Sequence, residues 1–572
     1  MKKILPFAGI AVVVFALGSC KAFKGAAISA KPDPIEVHAD TIKYEIHATV
    51  PPNAGIKKGG IYSGDAVIGS RNQAKVGIST DKYPAIKKTG VDTTIKITAA
   101  YYDDMDGNNL MIKQSYDRKG KKFELPDIEN LAQCCITTSR LVMESYQYLW
   151  TKHEYVKEVP MQLEAKFNFP KNVDEIQKGD YNNSDIKAIG DFLAKKWPAT
   201  KITIKGFASP EGPYKRNVLL SVNRSKQVQK WLIEQLKTAG YEQYLDSTFF
   251  DITVTHEDWD GFKASVNSLA YPPDVKTQIL EIISAGKDED TREKEIMALV
   301  GGKDKVESIL SPLRRATIVV QGFEPKRSDE QIDMVAADFV SGKTKELKGV
   351  FEKEEWLYAI SRVKDSKARK ALLEGFKVAF PSDFRAFNDL GAIYLTEGET
   401  QKGLDLLEAA AKLKAGDASI QNNLGVAYLM NKKNKDAKAA LEASLASKST
   451  PEANFNLGVV LEKFGSYNKS IEKFNSASTV PMSSFNTALC KLMLNDLAGA
   501  KASLGEYIKA NKDNQWGYYL MAITGSRAGD ASVMTVNLRK ACELDGSLKA
   551  KAKKDLEFRK FYSTAEFKAA TN

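Results

Sequence analysis

The spacing of hydrophobic residues changes along this 572-residue chain and divides it into three long regions. From about residue 35 to 160, apolar and polar residues alternate, as at Ile42, Tyr44 and Ile46. A period of two indicates strands with one buried face, and clusters of Gly, Pro, Asp and Asn separate these strands. We therefore expect an all-β, sandwich-like domain over residues 35–160.

Strand-like and helix-like patterns alternate in the second region, from about 161 to 323. Leu163, Ala165 and Phe167 fit a first strand, and later apolar residues recur at helical spacing. The order β-α-β-α-β, then an insertion at 256–312, then a last strand, predicts a two-layer α/β sandwich.

Hydrophobic residues recur with a helical period from the end of this region to the end of the chain. The pair Leu390-Gly391 returns 34 residues later as Leu424-Gly425 and again as Leu457-Gly458. This interval resembles tetratricopeptide repeats, which stack helix pairs into a solenoid. We expect an all-α solenoid at 383–547, preceded by a linker and a degenerate helical pair (324–382) and followed by a C-terminal cap (548–572).

The repeat register places Asn388, Asn422 and Asn456 on the outward side of the first helix of three repeats. An Asn side chain both donates and accepts, so it can satisfy a peptide backbone. We expect these residues to line a concave groove that binds other envelope proteins. The alternative is that they only solvate a helix face.

A Gly/Pro-rich turn separates a strand from a long amphipathic helix in the second region. Such a turn, followed by a helix N-terminus, favours a negatively charged ligand. The segment resembles the peptidoglycan-binding motif of OmpA-like domains, in which a turn is followed by N-x-x-L-S-x-x-R. The matching residues are Asn217, Leu220, Ser221 and Arg224.

The resemblance implies a clamp for the stem peptide of peptidoglycan. In the family an Arg binds a carboxylate of diaminopimelate and an Asp binds its ammonium group, so Arg224 would take the carboxylate. Ser209 stands where the family has Asp, with Glu211 two residues further on, and Asn217 completes the candidate site. The alternative is a domain that keeps the fold and has lost the ligand.

The N-terminus resembles a bacterial lipoprotein signal. Two lysines precede an apolar stretch too short to span a membrane, and the stretch ends in Leu-Gly-Ser before Cys20. We expect a signal peptide at 1–19, lipid on Cys20, and a tether at 20–34. Lys21 rather than Asp follows the cysteine, which does not resemble the signal for retention in the inner membrane, and no acidic run of the kind that marks surface-exported lipoproteins follows Cys20. We therefore expect the protein on the periplasmic side of the outer membrane.

The formal charge is +11, but no motif for nucleic-acid binding accompanies it, so we expect no nucleic-acid partner. The sequence contains no nucleophile-elbow, P-loop or zinc-protease motif, and its four histidines are scattered. We therefore predict a protein that is not an enzyme, with no catalytic residues, metal site or cofactor.

Two functions fit these observations. In the first, the protein contacts peptidoglycan through the 161–323 domain and recruits envelope proteins through its repeats. In the second, it is a scaffold subunit of an outer-membrane assembly, secretion or fimbrial machine, and its OmpA-like domain no longer binds peptidoglycan.

Overall fold

The computed structural model describes residues 11–14, 25–177, 179, 184–344 and 349–572. The chain divides into two compact units. One combines Met1–Lys152 with Val363–Asn572, and the other is His153–Arg362. Cys20, the predicted lipidation site, lies outside the described residues. No helix in the described ranges is both long enough and apolar enough to cross a membrane.

The first part of the chain is β-rich, as predicted. The strands form two antiparallel sets, one around Thr41–Val50 and one around Gly60–Ile68, and a parallel pairing of Ile35–His38 with Lys121–Ile136 joins the two sets. Residues of both sets, such as Ile46 and Ile112, belong to one core. The strands are β1 (Ala11–Val14), β2 (Ala27–Lys31), β3 (Ile35–His38), β4 (Thr41–Val50), β5 (Gly60–Ile68), β6 (Arg71–Ser79), β7 (Val91–Ala100), β8 (Asn109–Arg118) and β9 (Lys121–Ile136), with a one-turn helix α1 (Ile86–Thr89) between β6 and β7.

Strand β2 lies within the segment predicted to be a tether, so that prediction is wrong for its second half. The side chains of Ile28 and Ala30 are buried, and their backbones face Ala48 and Ile46 of β4. The alternating apolar pattern comprises only Ala26, Ile28 and Ala30 and is followed by prolines. Its stability as a strand therefore comes from the sheet rather than from local sequence.

The second unit contains a four-stranded sheet in the order β10-β13-β11-β12, in which only β11 and β12 run parallel. Val228 and Leu232 of helix α3 pack with Ile202 and Ile204 of β11 in its core. The elements are β10 (Glu158–Asn168), α2 (Ser184–Ala194), β11 (Ala199–Phe207), α3 (Tyr214–Thr238), β12 (Phe250–Thr255), α4 (Trp259–Ser265), α5 (Pro273–Ser284), α6 (Glu289–Val300), α7 (Glu307–Leu310) and β13 (Arg315–Pro325).

Helices α4 to α7 make up the insertion between β12 and β13. They have a core of their own, which includes Phe262, Ile279 and Ile296. The insertion is therefore a folded subdomain rather than a long loop.

The described residues of the 324–382 region contain three helices, one more than the predicted linker and helical pair. Helix α8 (Asp329–Val340) and helix α9 (Lys353–Arg362) end the second unit, and helix α10 (Ser366–Ala379) begins the helical part of the first. Trp356 of α9 is fully buried, with its ring centroid 5.0 Å from that of Phe339. This aromatic contact holds α9 to α8.

Ten helices form five antiparallel pairs after α10. A Cβ atom on Gly391, Gly425 or Gly458 would lie 2.7, 2.5 or 2.6 Å from a side chain of the second helix of the same pair, so only glycine allows this approach. The pairs are α11 (Phe384–Thr396) with α12 (Thr400–Leu413), α13 (Ala418–Met430) with α14 (Asn434–Ser447), α15 (Pro451–Lys463) with α16 (Tyr467–Ser476), α17 (Ser483–Met493) with α18 (Leu497–Ala510), and α19 (Gln515–Ala528) with α20 (Ala531–Leu544).

The C-terminal residues cover the last pair, and the array also holds the β-rich domain. Two further helices, α21 (Leu548–Ala552) and α22 (Ala565–Thr571), follow the last pair. Phe558, between them, and Phe567 of α22 are buried in the core of the last repeats. Arg527 of α19 forms ion pairs with Glu36 of β3 and with the buried Glu557. Since this guanidinium bridges both parts, the array and the β-rich domain form one unit.

Candidate peptide-binding groove

An extended segment of the chain lies along the first helices of the repeats. It follows a short 3₁₀ turn, Thr138–Leu141, and contains no helix or strand. We call residues 143–151 the groove segment, because their backbone contacts side chains of α11, α13, α15 and α17. The sequence analysis had assigned these residues to the β-rich domain.

Two asparagines each hold both backbone groups of one residue of the segment. The side-chain oxygen of Asn486 accepts from Met143 N–H at 2.8 Å, and its NH₂ group donates to Met143 C=O at 3.1 Å. Asn456 binds Gln147 in the same way, at 3.0 and 2.7 Å. In this geometry the side-chain amide takes the place of a neighbouring strand.

The pattern continues to the other end of the segment. Asn423 binds the N–H and C=O of Leu149, both at 2.9 Å. The next odd-numbered residue, Thr151, donates its N–H and its hydroxyl to the carboxylate of Asp389, each at 3.0 Å. Two further amides reinforce the carbonyls: Asn422 donates to Gln147 at 2.9 Å and Asn388 to Leu149 at 3.1 Å.

The same side chains also bind one another. Asn456 donates to Asn422, Asn422 to Asn423, and Asn423 to Asn388, at 3.0 to 3.1 Å. Asn388 then donates to Asp389 at 2.9 Å. Because each amide is fixed by its neighbour, donors and acceptors face the segment in a defined order.

Asp389 ends this ladder as a fully buried carboxyl group. Burial raises its pKa to about 6, although hydrogen bonds from Asn388 and Thr151 oppose the rise. The carboxyl group of Asp389, at this end of the groove, therefore changes its protonation state at mildly acidic pH.

Side chains of the segment pack on apolar residues of the array. Tyr146 and Tyr148 contact the clusters formed by α11 to α15, and the ring of Trp150 lies 4.3 Å from the guanidinium of Arg369. Lys463 forms an ion pair with Glu144. The asparagine amides bind only backbone atoms of the segment, so these side-chain contacts are the ones that depend on its sequence.

Asn388, Asn422 and Asn456 therefore line a peptide groove, and each is 0% exposed, so the alternative of a solvated helix face is wrong. The occupant differs from the prediction, since it is a segment of this chain. Sequence reasoning missed Asp389, Asn423 and Asn486. The first two directly follow predicted groove residues, so their position was a usable signal.

The second predicted site lies in the turn between β11 and α3, residues 208–213, which we call the motif turn. Arg224 is 1% exposed and donates to the carbonyls of Phe207, Val173 and Pro170, at 2.9, 3.1 and 3.4 Å. Burial lowers its pKa to about 10. The guanidinium is thus held by protein carbonyls.

Ser209 and Glu211 are brought together as predicted, but both are buried. Glu211 accepts from the Ser209 hydroxyl at 2.8 Å and from Arg314 at 2.6 Å, and Arg314 also binds Glu307 of the insertion through two bonds of 2.7 Å. Burial raises the pKa of Glu211, but the bonds from Arg314 and Ser209 outweigh it and lower the pKa overall.

Carboxylates from the insertion, or directly before it, bind the remaining donors of this site. Gly212 N–H donates to Glu293 at 2.7 Å, and Tyr214 N–H donates to Asp290 at 3.1 Å. The side chain of Asn217 donates to Glu257 at 2.8 Å. These three donors around the helix N-terminus therefore already have anionic partners within the chain.

The described residues contain no group of three or more His, Cys, Asp and Glu side chains arranged to hold a metal ion. A family model, "Tetratricopeptide repeat", matches residues 422–481, which include α14, α15 and α16. The C-terminal array consists of tetratricopeptide repeats. No curated protein matches the chain.

Several solved structures are similar to part of the chain. YrrB, described as a tetratricopeptide repeat protein with an unusual peptide-binding site, is 16% identical over 32% of this chain and 97% of its own, with a TM-score of 0.28. PilW, described as a widely conserved type IV pilus biogenesis factor, is 15% identical over 43% and 100%, with a TM-score of 0.29. A tetratricopeptide repeat protein from Parabacteroides merdae is 15% identical over 42% and 98%, with a TM-score of 0.29.

Proposed function

We propose that this protein is a lipid-anchored scaffold on the periplasmic side of the outer membrane. Its tetratricopeptide array recruits envelope proteins, and its OmpA-like domain serves as a structural module. The lipoprotein-like sequence before Cys20 supports the anchor. Tetratricopeptide repeats bind peptides and other proteins, which supports the recruiting role.

The observation that carries the proposal is that the donors of the motif turn are bound within the chain. A stem-peptide carboxylate on Arg224 would compete with three backbone carbonyls and would have to reach a side chain that is 1% exposed. Each buried carbonyl left without a partner would cost about 1–3 kcal/mol. The anionic positions beside Gly212 and Tyr214 are taken by Glu293 and Asp290. This arrangement favours the scaffold over the wall anchor.

Sedimentation with purified cell wall tests the role of the OmpA-like domain. We expect the detergent-solubilised full chain to stay in the supernatant at physiological salt. Arg216 is a matched control for Arg224, because it lies on the same helix and is exposed. Wild-type chain that pellets, with pelleting lost in Arg224→Lys but kept in Arg216→Lys, would favour peptidoglycan binding instead.

Fractionation and crosslinking in cells test the anchor and the recruiting role. We expect Cys20→Ala to leave the outer-membrane fraction, while the wild-type chain, crosslinked and purified, brings other envelope proteins with it. A Cys20→Ala protein that fractionates like wild type would exclude the lipid as the anchor. A wild-type chain that brings no other protein would contradict the scaffold.

A further inference from the structure

An open groove lies between the second helices of two neighbouring repeats. It lies between α14 and α16 and has a volume of about 570 Å³. We call it the lysine groove, because four lysines line its walls. They are Lys435 and Lys438 on α14, and Lys469 and Lys473 on α16.

The walls of the lysine groove are more basic than acidic. Two glutamates, Glu442 and Glu472, accompany the four lysines, and Glu442 lies 3.4 Å from Lys438. In the described part of the chain no ion pair joins Lys435, Lys469 or Lys473 to a carboxylate. Several other lysines of the array have acidic neighbours, namely Lys402 with Glu399, Lys414 with Asp417, Lys509 with Glu506 and Lys540 with Glu543.

The floor of the groove is apolar. Leu457 and Leu461 of α15 form it, and Phe464, directly after α15, is 40% exposed beside them. An exposed aromatic ring next to a concave apolar floor is the arrangement in which a partner's side chain can be anchored. The polar rim and apolar centre together match the anatomy of a protein interface.

We propose that the lysine groove is a docking surface for an acidic peptide segment of a partner protein, with one large apolar side chain placed on Phe464. The charge of the walls selects carboxylates, and the concave floor between two helices selects a peptide over a flat lipid surface. The groove along the first helices of the repeats, which we call the first-helix groove, already holds residues 143–151. A partner would therefore have to bind elsewhere on the array. The inference rests on the proposed scaffold function.

A labelled acidic peptide, of about twelve residues with Glu flanking a central Leu-Phe pair, provides a direct probe. Its binding to the full chain is measured by fluorescence anisotropy at low and high salt. We expect binding that weakens with salt, because the contacts are exposed charges. We expect Lys469→Glu/Lys473→Glu to lower the affinity at least tenfold, and Phe464→Ala to lower it severalfold.

Lys501→Glu/Lys512→Glu is the matched control, because it makes the same change in net charge at exposed positions outside the groove. It should bind the peptide within about twofold of wild type. No peptide binding by wild type, an equal loss in both double variants, or no loss in either would overturn the proposal. So would binding of wild type to phosphatidylglycerol vesicles but not to the peptide.

Crosslinking of the full chain in cells separates this proposal from the scaffold itself. We expect Lys469→Glu/Lys473→Glu to lose a partner that the control variant keeps. If the groove variant retains every partner, the lysine groove is not the docking surface and the scaffold stands. If wild type has no partner, the scaffold fails as well.

Discussion

Replacing Asn456 with Ala should release the groove segment without unfolding the array. Asn456 accepts from Gln147 N–H, donates to Gln147 C=O and donates to Asn422. The carbonyl of Gln147 keeps its bond from Asn422, but its N–H loses the partner that the structure shows. The substitution therefore breaks the segment at its centre.

The size of the effect follows from these bonds. A buried donor left unpaired costs about 1–3 kcal/mol, and Gln147 is only partly buried, so about 1–2 kcal/mol is expected. This raises the population of the released segment by about 5- to 30-fold. Hydrogen exchange followed by mass spectrometry over residues 143–151 should speed up by the same factor.

Asn454→Ala is the matched control, because Asn454 lies on the same helix but binds only Ser449 and Thr450, before that helix. It should leave exchange of the groove segment unchanged. Equal protection of residues 143–151 in wild type and Asn456→Ala would refute the amide clamp. An equal increase in both variants would mean that general destabilisation of α15, rather than the clamp, releases the segment.

Two further predictions concern the array. The pKa of Asp389 is raised to about 6 from a usual 3.8, so the folded state binds this proton more tightly than the unfolded state does. The free energy of unfolding should therefore fall by at most about 3 kcal/mol as pH rises from 4 to 6. Urea unfolding should show this fall in wild type and not in Asp389→Asn. Gly425→Ala should lower the free energy of unfolding by about 1–3 kcal/mol, because the new Cβ would lie 2.5 Å from Leu441. Gly505 has open space around it, so Gly505→Ala should be neutral or stabilising. Thermal unfolding of both variants checks this.

The sequence predicted the array well, because its signal is local and repeated. The 34-residue interval between Leu390 and Leu424 reflects helix pairs that must close on a glycine, and the same register placed Asn388 and Asn422 in the groove. The occupant was not predictable in this way. Tyr146 and Tyr148 flank the polar Gln147 as in a strand. The side-chain amides that replace a neighbouring strand lie about 240 to 340 residues further along the chain.

The motif turn shows a related limit. The resemblance to the OmpA-like motif grouped Ser209, Glu211, Asn217 and Arg224 as one candidate site. In the structure Glu211 contacts Ser209 and Asn217, and Arg224 binds the carbonyl of Phe207. The sequence could not show that folded helices of the insertion present Glu293 and Asp290 to the same turn. Those contacts depend on how the insertion folds around its own core, and the motif residues carry no signal of that fold.

Covalent attachment adds to the backbone and side-chain contacts that keep the first-helix groove filled. A segment joined to its site by a short linker has an effective concentration on the order of millimolar. Residues 143–151 follow β9 after only one short turn, so their amide contacts need little affinity of their own. A free peptide that made the same bonds to Asn423 and Asn456 would have to exceed that concentration or bind more tightly through its side chains. Weak partners are therefore excluded from this groove, and the recruitment that we propose would use surfaces that the chain leaves open.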